Sequence, residues 1–198
     1  MQPKRKCGDC QLCCKLLPMS EDANKSAKRT IARMLEVGIL SHSVAAAMTP
    51  DFDKKAGCKC PHQKFGVGCK IYNTRPFGCM LWICAWLEGA DLPRPDHCHY
   101  VVDTVPDEIL VQGKPVSVLQ VWVDSKYPKA YLDPPLLSLI EAMGRKHQAP
   151  TMIRYNERDG FVLIPPSMTP DNQWLERRGV VDPNAKFGVS YHVKKDFE

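Results

Sequence analysis

Hydrophobic positions recur with two different periods along this chain, and the change of period divides it. Over residues 20–48 the spacing is helical. Ala27, Ile31, Met34 and Leu35 fall on one face, Ser20 stands where a cap is needed, and Gly38 is placed to end the helix. A second short turn is predicted from Ser43 through Ala45, Ala46 and Ala47 to Met48, before Pro50. Met80 to Leu87 is apolar enough for a short buried helix. Beyond residue 100 the period falls to two. Tyr100–Val105 and Val116–Val123 read as strands, the second alternating as Val-x-Val-x-Gln-x-Trp. Leu136–Lys146 is helical again after Pro134 and Pro135. Thr151–Tyr155 and Phe161–Ile164 form two further strands joined by a hairpin-type loop from Asn156 to Gly160. Pro165 and Pro166 stop the second, and the tail offers one more strand, Val189–Val193.

The segments outside these patterns, residues 1–18 and 57–100, are rich in cysteine, glycine and proline, which argues for loops folded around ligands. The expected fold class is therefore α+β. Residues 1–100 form a cysteine-rich, loop-dominated metal-binding lobe with a helical insert at 19–52. Residues 101–198 form a small mixed sheet of three to five strands with one helix packed on it, joined to the lobe as one unit. The insert carries no chemistry of its own and is expected to pack over the lobe.

Composition sharpens this picture. All ten cysteines lie between Cys7 and Cys98. No apolar run approaches the ~18 residues of a bilayer span. The basic start, Met1 to Lys6, runs straight into Cys7, where a signal peptide would need an apolar stretch of about 7–15 residues. The expected location is cytoplasmic, where thiols stay reduced and cysteine clusters serve metals or catalysis. The formal charge is +5, and residues 1–70 carry 13 Lys and Arg against 6 Asp and Glu. One four-thiolate site holding a dication lowers that charge by two. Part of the basicity is thus compensation for thiolates and is weak evidence for nucleic acid, and the missing apolar run argues against a membrane. The expected partner is a metal ion, with room for a protein.

The chemistry is concentrated in Cys7-x2-Cys10-x2-Cys13-Cys14. Two intervening residues let the chain turn back and aim successive sulfurs at one centre. Adjacent cysteines resist pairing as a disulfide without strain. Side chains of neighbours diverge, so Cys13 and Cys14 serve one centre unequally, or two different centres. A remote thiol must complete the first site. Cys60, Cys69 and Cys79, each in a Gly- or Pro-shaped loop, are the first candidates, followed by Cys58 and Cys84. Zinc and an iron–sulfur cluster both accept four thiolates. His62, His97 and His99 are weaker candidates for zinc. Cys98 reads as a buried, inert thiol. Arg75 is suited to offset thiolate charge, and Tyr72, Trp82 and Trp86 to shield it from water. Asp103, Asp107 and Glu108 read as a solvated turn. There is no P-loop, no Gly-x-Gly-x-x-Gly after a strand and no His-Glu-x-x-His.

Taken with Cys60-Pro61, Gly68-Cys69-Lys70-Ile71-Tyr72, Arg75-Pro76-x2-Cys79 and Cys84-x-Trp86-Leu87, the N-terminal run resembles the bacterial YkgJ-type, or CxxCxxCC, cysteine-cluster family, described as zinc- or iron-chelating. The resemblance covers residues 7–18 and about 53–104. It implies metal chelation by Cys7, Cys10, Cys13, Cys14, Cys60, Cys69, Cys79 and Cys84. The implied cofactor is an iron–sulfur cluster, 4Fe–4S in form, or zinc. Redox or group-transfer chemistry would follow from the first; a zinc-stabilised interaction module or a metal-handling protein is the alternative. Relatives run almost directly from the first cysteine segment to the second, whereas residues 19–52 intervene here.

Overall fold

The computed structural model describes residues 5–19, 21–48, 52–104, 107–111, 114–156, 158–178, 180–181 and 191–192. The expected cap Ser20 and most of the strand Val189–Val193 lie outside them. Helices and strands are mixed throughout, as expected of an α+β chain.

The cysteine-rich part contains α1 (Leu12–Leu16), α2 (Glu21–Glu36), α3 (His42–Ala46), α4 (Phe77–Leu81), α5 (Ala85–Glu88) and α6 (Pro95–Cys98), with a small hairpin of β1 (Gln63–Lys64) and β2 (Gly68–Cys69). The rest is a sheet of β3 (Tyr100–Val102), β4 (Asp107–Val111), β5 (Lys114–Val123), β6 (Thr151–Arg154), β7 (Gly160–Ile164), β8 (Leu175–Arg177), β9 (Val180–Val181) and β10 (Tyr191–His192), crossed by α7 (Pro134–His147). The order is β8-β7-β6-β5-β4-β10-β9, with β3 also paired to β5. Strand β5 organises it. Its first half pairs with β4 and its last three residues with β3, both antiparallel, while β6 runs parallel along its other edge. That parallel pair needs a crossover, and α7 supplies it.

Among the described residues this sheet has eight strands where three to five were expected. The excess comes from β4, where Asp-Glu runs into an unbroken Ile-Leu-Val without alternation, and from β8 and β9, with three and two residues. Asp107 and Glu108 sit in β4 rather than in a turn. Asp103 is buried, not solvated: it accepts from Trp82 Nε1 at 2.8 Å and from Gln120 Nε2 at 3.1 Å. Gln120 in turn accepts from Arg154 at 2.6 Å, whose guanidinium lies 4.2 Å from the Trp122 ring centre. The single helix expected from Met80 to Leu87 is two, α4 and α5, broken where Cys84 forms a β-bridge to Asp103.

Alternation along the strands sends successive side chains to opposite faces. Tyr100, Val102, Val121, Val123 and Ile153 face Leu136 and Ile140 of α7. Val101 and Trp122 face the other way and meet Leu12 and Leu16 of α1, together with Cys84. The cysteine lobe is thus seated on the sheet through a shared apolar cluster.

The insert has a simple geometry. Met19 and Lys54 form an antiparallel bridge with both N–H···O distances 2.8 Å, so the chain leaves and returns at one point. Helix α2 lies against α4, and Gly38 follows it with φ of +73°.

A charged contact also joins lobe and sheet. Lys15 of α1 pairs with Asp124, a carboxylate 5% exposed at the end of β5. Burial pushes that carboxyl up, but the Lys15 ammonium and the Lys126 N–H outweigh it and hold Asp124 below its ordinary range. A lowered carboxyl stabilises the fold above its unfolded value and loses that contribution as pH falls through the folded one. Asp124→Asn is expected to cost about 1–3 kcal/mol near pH 7. The gap to wild type should shrink below about pH 3, where both proteins lack the charge. Denaturant midpoints at the two pH values check this, and an unchanged gap would show that the charge is not what matters.

Candidate metal centre

The first cysteine segment begins as a tight turn. Cys10 N–H donates to Cys7 O at 3.0 Å, with Gly8 at a φ of +53° inside it. Helix α1 follows at once. Leu12 and Leu16, four apart, anchor it on the sheet and so fix the directions of Cys13 and Cys14 between them.

The second segment presses against the first at Gly68. Its φ is +102°, and a Cβ built on it would stand 2.2 Å from the Gly8 carbonyl oxygen. Only glycine permits that approach. A pair of reciprocal hydrogen bonds locks the same contact: Gln11 Nε2 donates to Lys64 O at 2.6 Å, and Gln63 Nε2 donates to Gln11 O at 2.9 Å. The hairpin therefore delivers Cys60 and Cys69 to the face of α1. On the insert side, Cys79 of α4 lies 3.6 Å from the Met19 sulfur.

Six thiols share this neighbourhood. Cys13 hydrogen-bonds Cys7 and Cys14, and Cys14 is an electrostatic neighbour of Cys60 and Cys79, which are themselves neighbours of Cys69. Cys84 and Cys10 lie further towards the sheet, within reach of each other and of Cys7. Thus the two segments separated by the insert meet, and all eight candidate residues fall on that meeting line. Cys58 is exposed. Cys98 points its sulfur at the carbonyls of Pro93, Pro95 and Tyr100, 3.6–3.8 Å away. His62 packs edge-on against Phe52 and His99 stacks on Tyr127, with centroids 5.1 and 3.6 Å apart.

The thiols differ in character. The hydrogen bond from Cys13 is the largest influence on Cys14 and brings it down to about 6, with the Gln63 amide, Lys54 and Arg75 adding to the effect against burial. Cys7 is lowered as well, again first by Cys13. Cys13 has one proton and serves one of these thiolates at a time. Burial pushes Cys10, Cys60 and Cys84 up, Cys79 up to about 12 and Cys98 up to about 11. Main-chain N–H groups offset part of this by donating to sulfur: His62 to Cys60, Leu12 and Asp96 to Cys10, Leu87 to Cys84.

Beside Arg94, which hydrogen-bonds Cys10, two further cations serve the cluster. Arg75 is an electrostatic neighbour of Cys7, Cys14 and Cys79, and its guanidinium sits 4.1 Å from the Tyr72 ring centre. Tyr72 is therefore a platform for Arg75 rather than a lid over sulfur. Trp82 is tied to Asp103, and Trp86 packs in the apolar cluster beside Cys84. The second cation, Lys54, had no signal in the sequence, where Lys54-Lys55 looks solvated. It is 7% exposed, and its ammonium donates to Leu17 O and, at 3.1–3.3 Å, to the carbonyls of Lys15, Lys55 and Cys58. Gln11, Gln63 and Arg94 were equally illegible, because each acts through a partner more than 50 residues away.

Among the described residues, no three His, Cys, Asp or Glu side chains are grouped as ligands of one ion. The sulfurs share a neighbourhood rather than a closed coordination shell. The donor set, soft thiols with N–H groups and cations arranged around them, is chemically suited to zinc or an iron–sulfur cluster. Among the described residues, no helix is long and apolar enough to cross a membrane. No protein-family model, no curated protein and no solved structure matches the chain.

Proposed function

We propose that this is a metal-binding protein, chelating iron as an iron–sulfur cluster, or zinc, through thiolates from both cysteine segments. The observation that carries this reading is the seating of Gly68 against the Gly8 carbonyl, which holds two remote groups of cysteines together by backbone contact. The resemblance to the CxxCxxCC family supports it on the same residues. A cysteine side chain turns on one torsion, so sulfurs held this close gather round a metal by changing rotamer. Cys7, Cys10, Cys13, Cys14, Cys60, Cys69, Cys79 and Cys84 are the ligands proposed. When bound as a cluster, the metal supplies one-electron chemistry; as zinc, it supplies a structural cross-link. The chain's own residues exclude water with the α1 cluster, donate N–H groups to sulfur, and balance thiolate charge with Lys54 and Arg75.

A second reading, a zinc-stabilised interaction module, is favoured by one feature. Phe65 at the β1–β2 tip is 98% exposed, with Val67 also exposed beside it.

Anaerobic purification with metal analysis and an absorption spectrum separates the two. Brown protein with thiolate-to-iron absorption supports the cluster and excludes the module; colourless protein with stoichiometric zinc supports chelation in its zinc form and leaves the module standing; protein that takes up neither metal contradicts both. Cys10→Ser and Cys69→Ser are each expected to lose metal and Cys98→Ser to keep it. Equal retention in all three would remove the ligand assignment.

A further inference from the structure

The eight candidate thiols are not distributed evenly along the line where the segments meet. Cys13 and Cys14 are adjacent on α1, about 100° apart around the helix; a hydrogen bond joins their sulfurs, but the rest of their surroundings differ. Cys13 packs against the apolar cluster that contains Cys84, Leu16 and Trp122. Cys14 turns to the hairpin, where the Gln63 amide bonds it. The hairpin side gathers Cys60, Cys69 and Cys79, the last beside Met19. The sheet side holds Cys10 and Cys84, both buried, with Cys7 next to them. Cys84 is fixed there by its β-bridge to Asp103, and Cys10 by the N–H groups of Leu12 and Asp96.

Each group also has a cation of its own. Lys54 attends Cys14 and Cys60, while Arg94 hydrogen-bonds Cys10, neighbours Cys7 and is itself held by Asp9 and Asp96; Arg75 lies between the groups, near Cys7, Cys14 and Cys79. A dication on four thiolates carries a net charge of −2, so two such centres need cations on both sides. One centre would leave four buried or half-buried thiols, and Arg94 beside them, without a metal to serve.

We infer that, on taking up metal, the eight thiols close by rotamer change into two centres: Cys14, Cys60, Cys69 and Cys79 at the hairpin, and Cys7, Cys10, Cys13 and Cys84 against the sheet. Each takes a soft divalent cation or an iron–sulfur cluster. This rests on the chelation reading above and resolves the divergence of Cys13 and Cys14 by giving each a different metal.

The test is a cobalt(II) titration of the reduced full chain under anaerobic conditions, read by the thiolate-to-cobalt charge-transfer band. Wild type is expected to saturate at two equivalents. Cys60→Ser and Cys84→Ser are each expected to saturate at one, each keeping a full-intensity centre. Cys79→Ser and Cys10→Ser repeat the two arms, in case Cys84→Ser fails to fold by circular dichroism. Saturation of wild type at one equivalent, abolished by a change in either group, would overturn the two-centre inference and leave chelation standing. Absence of the band from every protein would overturn both.

Discussion

Gly68→Ala is expected to cost about 3–5 kcal/mol of stability and to lower metal content with it. The first part of that cost is conformational, since a φ of +102° strains any side-chain-bearing residue by about 1–3 kcal/mol. The larger part is steric. The new methyl would meet the Gly8 carbonyl oxygen at 2.2 Å, and that atom is main chain inside the Cys7–Cys10 turn. Relief requires the hairpin to lift off α1, which breaks the Gln11 and Gln63 hydrogen bonds and carries Cys60 and Cys69 away from Cys14. Gly57→Ala is the control. Gly57 has a φ of +76° but nothing within 4 Å of the added atom, so it should show only the strain. Equal denaturant midpoints for the two variants would mean that the segments are not pressed together at Gly68.

Lys54→Met has the next largest expected effect, about 3 kcal/mol. Methionine fills similar space but donates nothing, and the four carbonyls that surround the ammonium include Lys15 O and Leu17 O at the end of α1. Carbonyls left unpaired in a buried position cost about 1–3 kcal/mol each, partly recovered by relaxation. The variant should also bind metal more weakly, because Lys54 is a cationic neighbour of both Cys14 and Cys60. Lys55→Met, at an exposed position, should stay within about 0.5 kcal/mol of wild type. Similar midpoints and similar metal content in both lysine variants would show that the Lys54 ammonium is an ordinary surface charge.

The elements that could be read from sequence are those whose pattern is local. Helix α7, strands β6 and β7, and the far half of β5 are long or regular enough for periodicity to decide them, and α2 ends near Gly38 as its spacing suggests. Strands β8 and β9 sit at the two ends of the sheet and β4 between β5 and β10, and all three exist because a neighbouring strand offers them pairing, a non-local cause that leaves little mark on their residues. The break between α4 and α5 has a similar origin. Met80 to Leu87 is apolar throughout, but Cys84 is claimed by Asp103 across the sheet boundary, and a helix cannot continue through a β-bridge.

The candidate site divides in the same way. The cysteines were visible because thiols at short spacings are rare without a reason. Arg75 was visible because it stands among them. Lys54, Gln63 and Arg94 were not, since a lysine or glutamine on a polar stretch looks identical whether it meets water or a buried carbonyl. Asp103 was misread for a related reason. It closes the apolar run Tyr100-Val101-Val102 and stands close to the carboxylates Asp107 and Glu108, and the partners that bury it, Trp82 and Gln120, come from elsewhere in the chain.

X-ray absorption at the iron or zinc edge of anaerobically purified full-length protein tests most directly whether sulfur from both segments surrounds a metal. The expected result is a first shell of sulfur alone at about 2.3 Å, with amplitude for four scatterers per metal, lost in part when Cys14 or Cys69 becomes serine. A first shell of nitrogen and oxygen, or a sulfur shell unchanged by either substitution, would contradict it.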